Sequence, residues 1–345
     1  MSKENFVALY RKYRPQSFKE VKGQDTIVKV LEGAIKADNI SHAYLFAGSR
    51  GTGKTSIARI FAHAIGTSDN DIYEIDAASN RGIDDIREIR DAVNVLPFES
   101  KYKVYIIDEV HMLTKEAFNA LLKTLEEPPE HAIFILATTE TEKIPETIVS
   151  RCQVFAFKKP SLEVLRELVT SVAKKEGVTI EKGVADLIAI FGDGSFRDTL
   201  GTLQKAVAAS KDDKISLAEI EVVLGVPKSQ LVNSFIEALV MKNKDAALST
   251  IATVSESGVS SIVFIRLVLE KTRALFLLAH APSMKSALAA TVSEGDFEFL
   301  EKLATSQKAA LQPQLLIKLL QATQQMNSAS IESLPLELAV IDICS

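Results

Sequence analysis

The sequence predicts a doubly wound α/β domain on a parallel sheet, followed by segments that are helical throughout. Three observations predict it. The apolar run Ala43-Tyr44-Leu45-Phe46-Ala47 is followed at once by Gly48-Ser49-Arg50-Gly51-Thr52-Gly53-Lys54-Thr55, which fits the phosphate-binding pattern G-x-x-x-x-G-K-[ST]. Further short apolar runs alternate with helical spacing as far as Phe157, the rhythm of strand–helix–strand crossovers. Beyond Pro160 the apolar spacing is helical only.

Residues 10–23 are basic with aromatics interleaved, including Tyr10, Arg11, Lys12, Tyr13 and Arg14, and Pro15 breaks any continuous helix there. A helix over Asp25–Lys36 is expected from Ile27, Val30, Leu31 and Ile35. After the phosphate loop, Ser56-Ile57-Ala58-Arg59-Ile60-Phe61-Ala62 reads as the helix that the motif requires. Residues 72–78 read as a strand. A helix with Ile83, Ile86, Ile89 and Val93 inward follows. Its outer face carries Arg87 and Arg90 among acids, a pattern that plain solvated surface also produces.

Val104-Tyr105-Ile106-Ile107 is a short buried strand that ends in Asp108-Glu109-Val110-His111. Thr114 caps a helix whose apolar face is Ala117, Phe118, Leu121, Leu122 and Leu125; Glu116 suits its first turn and Pro128-Pro129 stops it. Residues 132–137 form the next buried strand with Thr138-Thr139 at its end, and Ser150-Arg151-Cys152 precedes a last strand over 154–157. Lys158-Lys159-Pro160 and Gly225-Val226-Pro227 read as boundaries, which divides the chain into 1–160, 161–225 and 226–345. The middle part holds helical patterns at Leu162–Lys175, 181–191, 195–209 and Leu217–Leu224, with Gly192-Asp193-Gly194 aiming Arg197 from a helix's first turn. Arginine is unfavourable there for the helix dipole, which hints at a ligand.

Composition narrows the class. With 345 residues, 47% hydrophobic and 25% charged, the chain has an ordinary globular make-up and room for two or three domains. A net charge of −5 means that any nucleic-acid contact comes from a local patch. The two cysteines, Cys152 and Cys344, lie far apart, which argues against a disulfide framework and for a reducing cytoplasm. No apolar run is long enough to span a bilayer, and Met1-Ser2-Lys3-Glu4 opens no signal peptide.

The chemistry these residues suit is phosphate chemistry. Glycines let backbone N–H groups curl round a phosphate, and the helix N-terminus adds partial positive charge. Lys54 is placed for the β- and γ-phosphates and the Thr55 hydroxyl for Mg²⁺. A carboxylate pair at the carboxyl end of a parallel strand suits a metal and a water: Asp108 for Mg²⁺, Glu109 to orient or deprotonate the water. His111 reads as a packing or coupling residue, since no second His or Cys lies at ligand spacing.

Several segments together carry a resemblance. They are Tyr10-Arg11-Lys12-Tyr13-Arg14-Pro15, the phosphate loop, Glu74-Ile75-Asp76-Ala77-Ala78-Ser79, Asp108-Glu109-Val110-His111 and Phe118-Asn119-Ala120-Leu121-Leu122-Lys123-Thr124-Leu125-Glu126-Glu127-Pro128-Pro129. Leu136-Ala137-Thr138-Thr139, Ser150-Arg151-Cys152 and Gly194-Ser195-Phe196-Arg197-Asp198 complete the set. The chain resembles the clamp-loader branch of the AAA+ ATPases, and within it the bacterial DNA polymerase III gamma/tau family. The likeness is dense as far as Asp198 and weaker beyond, where Pro335-Leu336-Glu337-Leu338-Ala339 is similar to the end of the family's third domain.

The resemblance implies an AAA+ α/β domain, a small helical lid and an all-α collar that oligomerises. It implies ATP binding by Tyr10, Arg11, Arg14, Pro15, Gly48, Ser49, Arg50, Gly51, Thr52, Gly53, Lys54, Thr55, Ser56 and Arg197. Thr139 matches a first sensor of the γ-phosphate, Arg197 a second, and Arg151 an arginine finger offered to a neighbouring subunit; with Lys54 and Glu109 these form the implied catalytic set. Arg81 and Arg87 lie in the part that faces the DNA backbone. The implied assembly is a pentameric hetero-oligomer that opens a sliding clamp and loads it on primer-template DNA during cytoplasmic DNA replication. Two departures matter. Family members carry a four-cysteine zinc module before the strand at Glu74; here Gly66-Thr67-Ser68-Asp69-Asn70-Asp71 holds no cysteine, so no zinc is expected. The longer family form has a C-terminal extension that binds polymerase and helicase; the sequence stops at Ser345 without it, as a shorter form or as a fragment of the longer one, and no such contact is assigned. Two rivals stay open: another AAA+ DNA motor, such as a branch-migration helicase or an archaeal-type small loader subunit, and a non-hydrolysing ATP-binding scaffold.

Overall fold

The computed structural model describes residues 7–210, 212–326 and 328–345. Met1-Ser2-Lys3-Glu4 lies outside the described residues. Two compact units result: one runs to Leu165 and takes in Gly192–Gly201, the other comprises Arg166–Phe191 and Thr202–Ser345.

The first unit contains, in chain order, α1 (Leu9–Lys12), α2 (Asp25–Lys36), β1 (Ala43–Ala47), α3 (Lys54–Ala64), β2 (Ile72–Asp76), α4 (Ile83–Val93), β3 (Lys103–Asp108), α5 (Lys115–Glu126), β4 (Ala132–Thr138), α6 (Glu146–Val149) and β5 (Gln153–Ala156). The strands form one parallel sheet in the order β2-β3-β4-β1-β5. Residues alternate between its two faces. Leu45, Tyr105, Ile107, Phe134 and Leu136 pack with Ile86 and Ile89 of α4 and Leu121 and Leu125 of α5. Tyr44, Phe46, Ile106, Ile135 and Phe155 pack with Leu31 of α2 and Ile57 and Phe61 of α3. Because both faces are covered, β1, β3 and β4 are buried along nearly their whole length, and that is why they read as unbroken apolar runs. Burying each such side chain contributes about 1.5–3 kcal/mol.

Local chemistry sets the element ends. The Thr114 hydroxyl accepts the Ala117 N–H at 3.2 Å and caps α5, as its position predicts. The Asp85 carboxylate accepts the Gly82 N–H at 2.9 Å at the start of α4. In the cysteine-free connection from α3 to β2, the buried Asp71 carboxylate accepts the N–H groups of Phe98, Glu99 and Ser100 at 2.6, 3.0 and 2.9 Å.

The remaining helices are α7 (Leu162–Lys175), α8 (Val184–Phe191), α9 (Phe196–Ala209), α10 (Leu217–Leu224), α11 (Ser229–Val240), α12 (Lys244–Glu256), α13 (Ser261–His280), α14 (Lys285–Thr291), α15 (Glu294–Ser306), α16 (Pro313–Met326) and α17 (Leu334–Cys344). The unit boundary falls within α7 and α9. The expectation of helices alone beyond Pro160 needs one correction: β6 (Thr179–Ile180) and β7 (Lys214–Ile215) pair as a two-stranded parallel sheet. Strands of two residues are too short to carry an alternating pattern, so residues 181–183 precede α8 rather than belong to it. Inside the second unit, the Lys271 ammonium on α13 donates to Asn233 Oδ1 at 2.9 Å, to Asp296 Oδ1 at 2.7 Å and to the Ser229 hydroxyl, tying α13 to α11 and α15. No described helix is long and apolar enough to cross a membrane.

Candidate active site

Three parallel strands converge on the site. Residues 48–53 form the turn between β1 and α3, Asp108 closes β3 and Thr138 closes β4. The Gly48 N–H donates to the Thr138 carbonyl at 3.1 Å, which fixes the turn to the neighbouring strand end. Ligands of open α/β sheets bind at the carboxyl ends of the strands, where this turn sits.

Two glycines are required by close approach. A Cβ on Gly48 would lie 2.5 Å from the Phe157 carbonyl oxygen, and one on Gly51 would lie 2.0 Å from Ser195 Oγ. Gly51 also has φ +72°, the left-handed region that other residues avoid. The contact at Gly51 comes from the turn before α9, whose Phe196 N–H donates to the Gly51 carbonyl at 2.9 Å. That bond brings the start of α9 to the phosphate loop. Arg197 then lies with its guanidinium 5.9 Å from the Tyr10 ring centroid, so two expected site residues far apart in sequence are neighbours.

Lys54 is buried, and its ammonium donates back to the loop carbonyls of Gly48 at 2.7 Å and Ser49 at 3.0 Å. Burial pushes its pKa down, Glu109 and Asp108 push it up, and Arg197 adds to the lowering. The Thr52 hydroxyl donates to the Ser49 carbonyl at 2.8 Å, and Arg14 Nε donates to the Ser56 hydroxyl at 3.0 Å. Burial lowers the pKa of Arg14 and the nearby Arg59 lowers it further, yet a guanidinium keeps its charge.

The acid pair is held by hydroxyls. Thr55 Oγ1 donates to Asp108 Oδ2 at 2.7 Å, and Asp108 Oδ1 accepts the Glu109 N–H at 3.0 Å. Thr139 Oγ1 donates to Glu109 Oε2 at 3.1 Å. Glu109 itself has φ +50°, a strained backbone for a residue with a Cβ, and such strain clusters at functional sites. Thr55 and Asp108 offer hard oxygen donors side by side, a set that fits Mg²⁺ completed by phosphate oxygens and water. Among the described residues no cluster of three or more His, Cys, Asp or Glu side chains could hold a metal ion.

The other expected residues sit differently. The Arg151 guanidinium donates to Glu126 Oε1 at 2.6 Å and to the Thr147 carbonyl at 2.8 Å, so within this chain it is bound to the end of α5. Arg87 is exposed and pairs with Asp84 at 2.9 Å, and Arg81 is exposed with its carbonyl accepting the Thr114 N–H. Arg11 and Arg50 are exposed, while Tyr10 and Pro15 are half-buried. Sequence reasoning missed Gln24. Its buried amide donates to the Lys158 carbonyl at 2.8 Å and to Thr52 O at 3.5 Å, linking the phosphate loop to the chain beyond β5. A polar residue just before α2 was its only signal.

A five-stranded parallel sheet in this order, with a phosphate loop after β1 and an acid pair after β3, defines a phosphate-loop protein of the AAA+ class. That class uses a nucleotide and Mg²⁺. Among solved structures, the chain is similar to the Thermotoga maritima RuvB Holliday junction branch migration motor, with a TM-score of 0.53 and 23% identity over 66% of this chain and 79% of that one, a likeness of fold. Residues 23–81 and 67–161 match the family described as DNA polymerase III, delta subunit, and residues 215–345 match DNA polymerase III subunits gamma and tau domain III. The chain is 39% identical to DNA polymerase III subunit tau of Bacillus subtilis, over 99% of its own length and 63% of the relative's. It is 39% identical to subunit gamma/tau of Mycobacterium tuberculosis (strain ATCC 25618 / H37Rv), over 81% of its length and 52% of the relative's. Against subunit tau of Escherichia coli (strain K12) it is 38% identical, over 74% and 43%. The chain belongs to the DNA polymerase III gamma/tau family. It spans between 43% and 63% of the length of these curated relatives.

Proposed function

We propose that the chain is an ATP-hydrolysing clamp-loader subunit of a bacterial replicative DNA polymerase III, working in the cytoplasm in an assembly with other loader subunits, a sliding clamp and primer-template DNA. Family membership supports the class of machine. The observation that carries hydrolysis is the paired hold on the acids: Thr55 on Asp108 and Thr139 on Glu109, around a buried Lys54. A scaffold that only binds nucleotide has no need of an ordered Glu109. The branch-migration reading has a fold likeness behind it, whereas the matches to gamma and tau sequences extend through residue 345.

In this reading Lys54 leaves the loop carbonyls for the β- and γ-phosphates, and the loop N–H groups take the remaining oxygens. Tyr10, Arg11, Arg14 and Pro15 pack on the nucleotide, with Gly48–Ser56 as its phosphate cradle. Thr55 and Asp108 hold Mg²⁺, which when bound neutralises charge on the phosphates. Glu109 orients the attacking water and accepts its proton. Thr139 and Arg197 report the γ-phosphate, and Arg151 serves the neighbouring subunit's nucleotide. Arg81 and Arg87 face the DNA backbone. The working parts are an AAA+ domain over 1–160, a lid over 161–225 and a collar over 226–345. No zinc enters this reading, because the α3–β2 connection has no cysteine to hold one.

The test is hydrolysis of Mg–ATP with and without primed DNA and a clamp. Lys54→Ala is expected to abolish productive ATP binding. Glu109→Gln is expected to keep binding while slowing hydrolysis by about 10²–10⁴-fold, the range of a positioned base. A Glu109→Gln chain that hydrolyses ATP at the parent rate would remove Glu109 from the mechanism.

A further inference from the structure

His111 is a buried imidazole that the reading above does not use. It follows β3 in a single turn of 3-10 helix, Val110–Met112, that begins at the strained Glu109. Its side chain is only 6% exposed, yet its neighbours are polar rather than apolar. Nδ1 lies 3.0 Å from Thr138 Oγ1 and 3.5 Å from Glu109 Oε2. Nε2 lies 3.2 Å from Glu140 Oε1, and the other Glu140 carboxylate oxygen pairs with Lys143 at 2.7 Å. The fully buried Thr138 hydroxyl also accepts the Glu140 N–H at 3.0 Å, so both partners of the ring outside its own turn, Thr138 and Glu140, belong to one feature, the end of β4 and the residues after it.

A buried side chain whose only task is to fill space would be apolar at less cost, because a buried polar atom must find a partner. Here both ring nitrogens are engaged, and one faces the same Glu109 oxygen that Thr139 holds. The ring therefore spans the gap between the end of β3, which carries the acid pair, and the end of β4, which carries Thr139. Remove it, and among the described residues Thr139 is the one side chain left holding that Glu109 oxygen.

We propose that His111 is a positioning residue for Glu109: braced by Thr138 and Glu140 at the end of β4, the imidazole keeps the Glu109 carboxylate in line for the attacking water. The inference deepens the hydrolysis reading and rests on it. A misplaced base costs rate without costing affinity, since the base touches water and not the bound phosphates.

The experiment is a double-mutant cycle on the full chain, read by single-turnover ATP hydrolysis and by nucleotide affinity in parallel. His111→Ala is expected to slow hydrolysis by roughly 10-fold in the parent, a part of what a positioned base supplies. Nucleotide Kd should stay within about twofold, because no binding contact is lost. In the Glu109→Gln background the same substitution should slow hydrolysis by less than about twofold, since a residue acting through another has nothing left to act on. His111→Asn, which keeps a polar atom near Nδ1, should recover part of the rate, and the apolar His111→Leu should not. Thermal melts monitor folding, and His111→Asn carries the test if the alanine variant is unstable. Equal losses in both backgrounds, a full rate with leucine, or a matching loss of affinity would overturn the proposal. A parent chain that binds ATP but never hydrolyses it, with clamp and primed DNA present, would instead retire the hydrolysis reading and this inference with it.

Discussion

Asp71 illustrates how much a single carboxylate can organise. Burial by itself would raise its pKa, but the N–H groups of Glu99 and Phe98, with the hydroxyl and N–H of Ser100, outweigh burial and bring it down to about 2. The folded value thus lies below the ordinary 3.8, so the stabilisation is fully present above about pH 4 and is lost as pH falls toward about 2. The interaction holds residues 98–100 against the start of β2. Asp71→Asn offers one acceptor oxygen for donors that two now serve. It should cost about 1.5–3 kcal/mol at pH 7, by the strength of hydrogen bonds to a charged group. Urea unfolding of parent and variant between pH 7 and pH 2 checks both points: the gap should narrow as the parent carboxylate is protonated. A gap that stayed constant down to pH 2 would mean that the charge is not what matters.

Elements are joined by a few polar staples as well as by apolar packing. In the second unit Lys271 joins α13 to α11 and α15 through Asn233, Ser229 and Asp296, and the Ser293 hydroxyl that caps α15 also donates to Asp296 at 2.9 Å. Both charges are largely buried, with side chains 16% and 10% exposed. Breaking one partner of such a pair leaves an uncompensated charge, which costs about 3–5 kcal/mol, while replacing both with apolar residues of similar volume can be neutral. Asp296→Ala should therefore destabilise this unit by about that amount. The double change Lys271→Met with Asp296→Leu should recover most of it. Denaturant unfolding of the single and double variants gives the coupling directly. Additive losses would show that the pair is not the staple.

For the whole molecule, the decisive question is whether the site is complete within one chain. Arg151 is bound to Glu126 and the Thr147 carbonyl, which fixes its direction without spending it on the acid pair or on the Lys54 loop. An exposed ion pair of this kind contributes about 0–1 kcal/mol, little enough for a phosphate to displace it. In the proposed assembly Arg151→Ala chains and Lys54→Ala chains should each be inactive alone. When mixed, some interfaces pair an intact phosphate loop with an intact arginine, and hydrolysis should partly return. An arginine finger contributes about 10³–10⁵ in rate in other phosphate-loop enzymes, so even a small share of such interfaces is measurable. Mixed assemblies that form and stay inactive would assign Arg151 to structure alone.

What the sequence determined by itself were the features written in local chemistry. The phosphate loop, the unbroken apolar strands of a sheet covered on both faces, the Thr114 cap and the helices Asp25–Lys36 and Leu162–Lys175 all follow from neighbouring residues, and local propensity and pattern suffice for them. The acid pair was legible too, because it closes a strand. The tertiary structure alone decided which distant residues meet. It brought Arg197 to Tyr10 through the bond from Phe196 to Gly51. It set Gln24 between Thr52 and Lys158, and it turned both nitrogens of His111 toward the end of β4. It also formed the two-residue strands β6 and β7, which pair only because the chain returns beside itself. These contacts join residues far apart in the chain, and no pattern of spacing encodes them. Chain folding supplies the partner, and the partner decides what a side chain does.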